Sequence, residues 1–206
     1  MSIDFTHVKD HYAERTHEAM QDVLMDPKAV GPSIHYYMIR GSSEIGNITV
    51  WEPGTVGTEY VKTYGHYHVG KLQETYHVLS GTGFALLQKR ALNDQGLSID
   101  DMVADFRVIP VQEGSIVHME SGYGHLVVNT GSTFLVTTDD SPVYFTPVDT
   151  ASLPGHADYT AVKAMRGFAY YVVERDGYPA LVKNPLYKEI LRSDLASLPI
   201  HQGETS

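Results

Sequence analysis

Three histidines and one glutamate have the residue types and the spacing of a metal site. His66 and His68 are separated by one residue, Glu74 follows shortly after them, and His125 lies far downstream. On an extended strand alternate side chains share a face, so His66 and His68 form a chelating pair. Imidazole and carboxylate donors together suit a divalent transition ion such as Fe, Mn, Ni, Co or Zn, and they leave positions open for water or substrate oxygens.

These residues need a β-rich scaffold to position them. Short runs with strand character, separated by Gly, Pro, Asn and Ser, occupy the chain from residue 34 to about residue 146, without amphipathic helices between them. This pattern predicts an antiparallel sandwich or barrel, in which a turn containing Gly70 returns the chain so that Glu74 reaches the imidazoles. The runs are Ile34–Ile39, Gly46–Trp51, Thr58–Thr63, Thr75–Leu79, Gly83–Gln88, Phe106–Ile109, Ser115–Met119, His125–Asn129 and Thr133–Thr138.

Two helices are expected outside this β-rich region. Apolar residues at helical spacing between His11 and Met25, followed by a proline, predict a helix there. A second, short helix is expected over Leu186–Leu191. The segment Ala91–Asp101 is polar and contains glycine, so we expect a loop or a hairpin tip in that part of the chain.

The composition narrows the class of protein. With 206 residues, 42% of them apolar, the chain can form one domain with a sizeable core. It contains no cysteine, which excludes disulfides, thiolate ligands and a cysteine nucleophile and is compatible with a reducing cytoplasm, where we expect the protein to act. No apolar stretch approaches the roughly 18 residues that cross a bilayer, so we expect a soluble protein.

The net charge argues against two kinds of partner and leaves one difficulty. A formal charge of −10, with no basic stripe, argues against nucleic acids and anionic membranes, whose binding needs clustered Lys and Arg. The same charge would not attract an anionic small molecule. A phosphorylated substrate would therefore have to be held by local donors, namely hydroxyls, backbone N–H groups or a single Lys or Arg.

Two blocks of sequence resemble, in the right order, the two signatures of the cupin superfamily. The first block is His66-x-His68-x5-Glu74-x6-Gly81, and the second is Gly114-x5-Glu120-x-Gly122-x2-His125-x3-Asn129. In cupins, two His and one Glu from the first block and one His from the second bind a metal ion inside a small β-barrel. The gap between His68 and Glu74 is slightly longer than in most cupins, and Glu120 stands where a proline is usual; neither departure touches a proposed ligand.

A closer resemblance covers most of the chain from Thr49 to Lys188. It implies an all-β cupin barrel, a double-sheet jelly roll, that interconverts glucose 6-phosphate and fructose 6-phosphate in glycolysis and gluconeogenesis. The family that these segments resemble is the cupin-type glucose-6-phosphate isomerases of archaea and some bacteria. The segments are Pro53–Tyr60, Thr63–His68, Gly155–Tyr159, Gly167–Phe168, Val172–Glu174 and Asn184–Pro185.

The resemblance also implies roles for individual residues. The metal ligands would be His66, His68, Glu74 and His125. The sugar-phosphate end would be bound by Thr49, Thr63 and the Gly65 backbone, and the sugar pocket would be lined by Tyr76, His156 and Tyr159. Between the positions that match His156 and Tyr159, the family has one residue fewer than this chain. Either Tyr36 or Tyr37 would be a further phosphate contact, because neighbouring strand residues face opposite ways.

The chemistry of aldose–ketose isomerisation agrees with these residue types. Hydrogen moves between adjacent carbons through an enediol, and a metal that polarises the two neighbouring oxygens lowers the barrier. A base must move the proton, and the family resemblance implies that this base is Glu74, with Tyr76 or His156 as partners in ring opening or proton relay. A carboxylate fully committed to a metal is a poor base, so either Glu74 has a dual or loosely bound role, or a metal-shifted hydrogen transfer between the carbons replaces it.

We therefore expect one cupin domain over residues 1–206, with an N-terminal helical extension over 1–33, a β-barrel over 34–183 and a short C-terminal helix and tail over 184–206. It would be a cytoplasmic homodimer that binds a sugar phosphate and uses a divalent metal, with Fe(II) favoured over Zn, Mn, Ni or Co. The alternatives are a cupin dioxygenase, since three His and one Glu also suit Fe(II) and oxygen, and a non-enzymatic sugar- or metal-binding cupin.

Overall fold

Strands are the main regular structure in the described part of the protein. A computed structural model describes residues 12–42, 46–142 and 156–201, so residues 1–11 of the expected extension and 202–206 of the expected tail lie outside the described ranges. Neither helix within these ranges is long and apolar enough to cross a membrane. The elements are β1 Tyr12–Thr16, α1 His17–Met20, a 3-10 turn at Gln21–Val23, β2 Ile34–Ser42, β3 Gly46–Trp51, β4 Thr55–Val56, β5 Glu59–Tyr60, β6 Tyr67–His68, β7 Glu74–Ser80, β8 Thr82–Leu92, β9 Ser98–Gln112, β10 Ile116–Met119, β11 Gly124–Asn129, β12 Leu135–Asp139, β13 Ala157–Asp158, α2 Thr160–Ala164, β14 Tyr170–Arg175, β15 Tyr178–Lys183, β16 Glu189–Ile190, β17 Ser193–Asp194 and β18 Ile200–His201.

Two large sheets face each other across a shared core. The first sheet has the strand order β1-β2-β3-β12-β7-β10, and the second has the order β11-β8-β9-β16, with β17 also paired to β9. All pairs in the first sheet are antiparallel. Trp51 of the first sheet and Phe106 and Leu126 of the second are fully buried in one continuous apolar cluster. This arrangement confirms the predicted all-β barrel.

Cross-strand pairing determines which side chains of the first sheet face the barrel interior. Thr49 of β3 lies opposite Thr137 of β12. Two residues further along, Asp139 lies opposite Asn47 on one side and Tyr76 on the other. Directly paired residues share one face of a sheet, and alternate residues of a strand do the same. A row of polar side chains therefore points inward from the first sheet.

The hairpin of β8 and β9 extends further than the sequence pattern predicts. Pairing continues to Leu92 and Ser98, so only residues 93–97 form the tip within the segment Ala91–Asp101. The Asn93 side chain accepts hydrogen bonds from two backbone N–H groups of the tip, at 3.0 and 2.9 Å. These hydrogen bonds close a tight turn, so strand pairing continues into both ends of the polar segment.

The helix predicted between His11 and Met25 is mostly wrong, because the first part of this segment is a strand. β1 pairs with β2 along its whole length, from Tyr12 opposite Ile39 onward. Helix α1 contains only four residues and begins where the Thr16 hydroxyl accepts a hydrogen bond from a backbone N–H. The edge of β2 supplies backbone hydrogen-bond partners, and this tertiary pairing overrides a weak local preference for helix.

The short C-terminal helix predicted over Leu186–Leu191 is also wrong. Asn184 holds a turn there: its side-chain amide donates to the Met165 carbonyl at 2.8 Å, and its Oδ1 accepts from the Leu186 N–H at 3.0 Å. The following strand, β16, pairs in parallel with β9 at residues 102–103. An isolated single-turn helix would lack such partners, so the exposed edge of β9 decides the structure of this segment.

A buried ion pair fastens the segment after α1 to the barrel. Lys62 Nζ lies 3.3 Å from Glu59 Oε1, and the two side chains are 3% and 1% exposed. Lys62 also donates to the Val23 carbonyl at 2.6 Å, and Glu59 Oε2 accepts from the Met25 N–H at 2.8 Å. Burial raises the pKa of Glu59, while the charge of Lys62 opposes that shift. Each partner is thus needed to neutralise the other.

Replacing Lys62 by methionine is expected to lower the free energy of unfolding by about 3–5 kcal/mol, because it leaves the buried Glu59 carboxylate without its counter-charge. Chemical denaturation followed by circular dichroism would measure the change. The double variant Lys62→Met/Glu59→Gln is the control, and it should recover part of the lost stability. A single variant as stable as the wild type would show that the pair does not hold this segment.

Candidate metal centre

The four predicted metal ligands converge between the two large sheets. One donor atom from each of His66, His68, Glu74 and His125 lies within 4.8 Å of the others. His68 belongs to β6, Glu74 opens β7 in the first sheet, and His125 lies on β11 in the second sheet. Two sequence blocks that lie far apart along the chain therefore meet at one point in the barrel.

Backbone pairing fixes His66 and His125 relative to each other. The N–H of His125 donates to the His66 carbonyl at 2.9 Å, and the N–H of His66 donates to the His125 carbonyl at 3.2 Å. The ring centroids of these two histidines are 4.4 Å apart, and the rings of His66 and His68 are 4.8 Å apart. The alternation expected of an extended segment thus brings His66 and His68 to the same side.

The donor atoms at the centre lie close together, and Glu74 hydrogen-bonds to His68 but leaves His125 unsatisfied among the described residues. Glu74 Oε2 lies 3.0 Å from His125 Nε2 and 3.2 Å from His68 Nε2. Within the described part of the chain, both ring nitrogens of His125 are buried without a hydrogen-bond partner, because the 3.0 Å contact lacks hydrogen-bond alignment. Buried polar atoms normally have partners. Three imidazole nitrogens and a carboxylate oxygen in this arrangement fit a divalent transition-metal ion.

Protonation at the centre agrees with metal binding. Burial lowers the pKa of His66 well below its usual value, and the neighbouring His125 adds to the shift. Burial alone would raise the pKa of Glu74, but its contacts with His125 and His68 outweigh that effect and lower it. A neutral imidazole and an ionised carboxylate are the forms that bind metal ions.

Tyr76 approaches the centre from the same face of β7 as Glu74. Its ring centroid lies 5.7 Å from that of His125. Burial raises the pKa of Tyr76 well above its usual value, and the negative charge of Glu74 raises it further. The hydroxyl therefore keeps its proton and can donate a hydrogen bond to an oxygen of a bound molecule.

Tyr159 and His156 lie close to the centre, in the segment that follows residue 155. The Tyr159 ring is 5.5 Å from the His66 ring and 5.4 Å from the Tyr64 ring, and 38% of the residue is exposed. His156 is placed through its backbone, since its carbonyl accepts a hydrogen bond from the Val69 N–H at 2.8 Å. Tyr159 thus lines the mouth of the site, while the catalytic role of His156 stays a prediction.

The three predicted phosphate contacts lie on different walls of the barrel. The Thr63 hydroxyl accepts from the Val127 N–H at 3.0 Å, which places it along β11. Gly65 has a φ of +81°, and an added Cβ would lie 3.2 Å from Phe168, so this position favours glycine. Thr49 is buried in the opposite sheet, on β3. Their roles in binding phosphate stay predictions.

Of the two tyrosines that the sequence leaves open, Tyr36 faces the interior. It is only 4% exposed, and its ring stacks on Trp51 at 6.4 Å. Tyr37 points to the other side of β2, where its hydroxyl donates to Glu52 Oε1 at 2.8 Å. Tyr36 is therefore the tyrosine that a molecule inside the barrel could reach.

Two arginines that the sequence motifs do not mark also face the interior. Arg15 on β1 lies opposite Tyr36 and donates from Nε to its hydroxyl at 3.1 Å. Arg40 near the end of β2 donates from Nη1 to the Thr49 hydroxyl at 3.3 Å. Strand alternation places Arg40 on the same face as Tyr36, four residues earlier, but the sequence alone does not show which face of the strand is inward.

The fold and the four converging donors define a cupin barrel with a candidate divalent-metal centre. The sequence model of the glucose-6-phosphate isomerase (GPI) family matches residues 32–186 of this chain. The protein therefore belongs to the glucose-6-phosphate isomerase family.

Two relatives in sequence agree with the family assignment, and a third protein is similar only in structure. A glucose-6-phosphate isomerase of Pyrococcus abyssi is 36% identical over 141 residues, which are 68% of this chain and 62% of the relative, so the match spans less than two thirds of that protein. One of Thermococcus onnurineus is 30% identical over 176 residues, which are 83% of this chain and 79% of the relative. Among solved structures, a protein of Thermotoga maritima described as a predicted oxalate decarboxylase is 17% identical, with a TM-score of 0.38 over 68% of this chain and 96% of that chain.

Proposed function

We propose that this protein is a metal-dependent isomerase that interconverts glucose 6-phosphate and fructose 6-phosphate. The convergence of His66, His68, Glu74 and His125 within 4.8 Å, in a chain of the glucose-6-phosphate isomerase family, carries the proposal. The relatives named glucose-6-phosphate isomerase, at 36% and 30% identity, support the same substrate pair.

The metal ligands would be the three imidazoles of His66, His68 and His125 together with the Glu74 carboxylate. A divalent ion bound there supplies Lewis-acid polarisation of the carbonyl oxygen and of the neighbouring hydroxyl oxygen of the sugar. The mixed nitrogen and oxygen donor set suits Fe(II), Zn, Mn, Ni or Co. The preference for iron, the homodimer and the cytoplasmic location stay predictions from the family resemblance.

The residues of the chain would handle the protons. Glu74 contacts His68 and His125 through Oε2, which leaves its other carboxylate oxygen to take a proton from one sugar carbon and return it to the next. Tyr76, on the same face of β7, would donate its hydroxyl hydrogen to a sugar oxygen. His156 would assist ring opening, and Tyr159 at the mouth would cover the bound sugar.

Metal removal tests this proposal. We expect the purified protein to convert fructose 6-phosphate to glucose 6-phosphate in an assay coupled to NADP reduction, with or without oxygen. Chelation followed by dialysis should abolish turnover, and divalent ions added back one at a time should restore it, because the ion polarises the oxygens between which hydrogen moves. Full activity in protein shown by elemental analysis to be free of metal would contradict the proposal, and oxygen uptake during turnover would favour a dioxygenase.

A further inference from the structure

A sugar phosphate brings a dianionic group to a chain whose formal net charge is −10. A local cation inside the barrel would offset this repulsion. Lys62 is buried and committed to Glu59 and to the Val23 carbonyl. Within the described ranges, the cationic side chains seen to contact inward-facing residues near the metal centre are then Arg15 and Arg40.

Arg40 is held at the edge of the barrel interior by Asp139. Its Nη1 lies 3.6 Å from Asp139 Oδ2, and the two side chains are 32% and 2% exposed. The other oxygen of Asp139 accepts hydrogen bonds from Asn47 Nδ2 at 2.7 Å and from the Ser141 N–H at 3.1 Å, so the carboxylate is firmly positioned. Asp139 therefore orients the guanidinium without enclosing it.

Most of the Arg40 donors are not used by the protein. Within the described part of the chain, its contacts with Thr49 and Asp139 both involve Nη1, so Nε and Nη2 remain for another acceptor. Arg40 lies near the metal centre, because its partner Asp139 is paired directly with Tyr76, two residues along β7 from Glu74. A planar guanidinium with free N–H groups matches the oxygens of a phosphate.

Across from Thr49, the residue that Arg40 contacts, lies a buried hydroxyl with no partner in the described part of the chain. Thr137 Oγ1 is buried and has no hydrogen-bond partner among the described residues. Thr137 is paired directly with Thr49, whose hydroxyl contacts Arg40, so all three face the same space. Buried polar atoms without a hydrogen-bond partner are uncommon in native proteins. An acceptor with several oxygens, placed beside Arg40, would satisfy the hydroxyl.

Arg15 is the competing cation, but its surroundings use it differently. Its Nε donates to the Tyr36 hydroxyl at 3.1 Å, and its guanidinium carbon lies 5.9 Å from the ring centres of both Tyr36 and Tyr64. Contacts with aromatic rings already stabilise its charge. Arg15 therefore supports the tyrosine wall of the pocket, whereas Arg40 lies beside the buried hydroxyl of Thr49, which is paired with Thr137.

We propose that Arg40 binds the phosphate group of the substrate, with the hydroxyls of Thr49 and Thr137 beside it and Asp139 as the residue that positions the guanidinium. This inference rests on the proposed isomerase function, because that function supplies the phosphorylated ligand. It reduces the conflict between an acidic chain and an anionic substrate, since an oriented guanidinium places a positive charge beside the phosphate.

Calorimetric titration with sorbitol 6-phosphate, a hexitol phosphate without a carbonyl to isomerise, tests the proposal. Arg40→Gln should raise the dissociation constant about 10- to 100-fold, because charge-assisted hydrogen bonds to phosphate are lost. Arg40→Lys, which keeps the charge but not the planar fork, should give a smaller rise. In the fructose 6-phosphate assay, Arg40→Gln should raise KM far more than it lowers kcat, and its metal content should not change.

Arg192→Gln is the matched control, since Arg192 also pairs with an aspartate, at 3.1 Å from Asp105, but is 73% exposed. It should bind sorbitol 6-phosphate like the wild type. Unchanged binding in both Arg40 variants would overturn the proposal, as would weakened binding in Arg15→Gln but not in Arg40→Gln. Circular dichroism would show whether each variant folds. If Arg40→Gln does not fold, the dissociation constant of Arg40→Lys for sorbitol 6-phosphate tests the proposal instead.

The titration separates this inference from the proposed function. If the wild type binds sorbitol 6-phosphate through Arg40 but does not turn over fructose 6-phosphate, the isomerase proposal fails and the phosphate site stands. If the wild type turns over fructose 6-phosphate and the Arg40 variants bind the probe normally, the function stands and the phosphate site is wrong.

Discussion

Replacing His125 by alanine should remove the bound metal and lower kcat/KM by at least about 10³-fold, because a metal that stabilises developing charge contributes several kcal/mol to the transition state. His125 is buried at the centre of the cluster, and its ring nitrogens have no other hydrogen-bond partner among the described residues. Elemental analysis of the purified variant and the coupled isomerase assay would measure both effects.

His77→Ala is the matched control for His125→Ala. His77 lies on β7, close to Glu74 in sequence, but it is exposed on the outer face of the sheet. The control should keep its metal and its activity, which would show that the effect is specific to inward-facing histidines. If His125→Ala kept full metal content and full turnover, the ligand assignment would be wrong.

Replacing Glu74 by glutamine should lower kcat by about 10²- to 10⁴-fold, the usual range for losing a general acid or base. Glutamine keeps the size of the side chain and one carbonyl oxygen, but it has no basic oxygen to accept the proton. Glu113→Gln, at an exposed turn, removes a charge in the same way and should leave activity unchanged. Full activity in Glu74→Gln would exclude Glu74 as the base.

Isotope incorporation distinguishes the role of Glu74 from a direct hydrogen shift. In D2O the wild type should place deuterium at C2 of the glucose 6-phosphate formed from fructose 6-phosphate, because a proton held by a carboxylate exchanges with solvent. Proton NMR of the product would measure this. Product without deuterium would favour hydrogen transfer between the carbons and would remove the reason for assigning Glu74 as the base.

The convergence of the four donors could be predicted from the sequence because short-range geometry and spacing determine most of it. Alternation along an extended segment puts His66 and His68 on one side, and a hairpin return brings Glu74 back to them. The placement of His125 follows from the second cupin-like block rather than from local geometry. The presence of strands could be predicted equally well. For example, β3 has the predicted bounds, Gly46–Trp51.

The errors occur where distant strands decide the local structure. Tyr12–Thr16 and Glu189–Ile190 lie in segments with helix-compatible patterns, yet each pairs with the edge of a sheet strand. Backbone hydrogen bonds to β2 and β9 outweigh a helix preference of a few tenths of a kcal/mol per residue, roughly the spread among ordinary residues. Such pairings connect residues far apart in sequence and leave no periodic signal.

Arg40 could not be assigned from the sequence for a different reason. Its importance depends on Asp139, which lies 99 positions away along the chain and meets it only across the strands of the first sheet. A lone arginine in a strand is ordinary, and no spacing rule links it to the histidines. Only the register of β2, β3 and β12 shows that it shares the interior with Thr49 and Thr137.

The reciprocal backbone hydrogen bonds between His66 and His125 need no ion to form. The backbone therefore holds two of the four proposed metal ligands at a fixed separation whether or not an ion is bound. A site whose donors are placed in advance is expected to accept several first-row divalent ions, in the order of their intrinsic affinities.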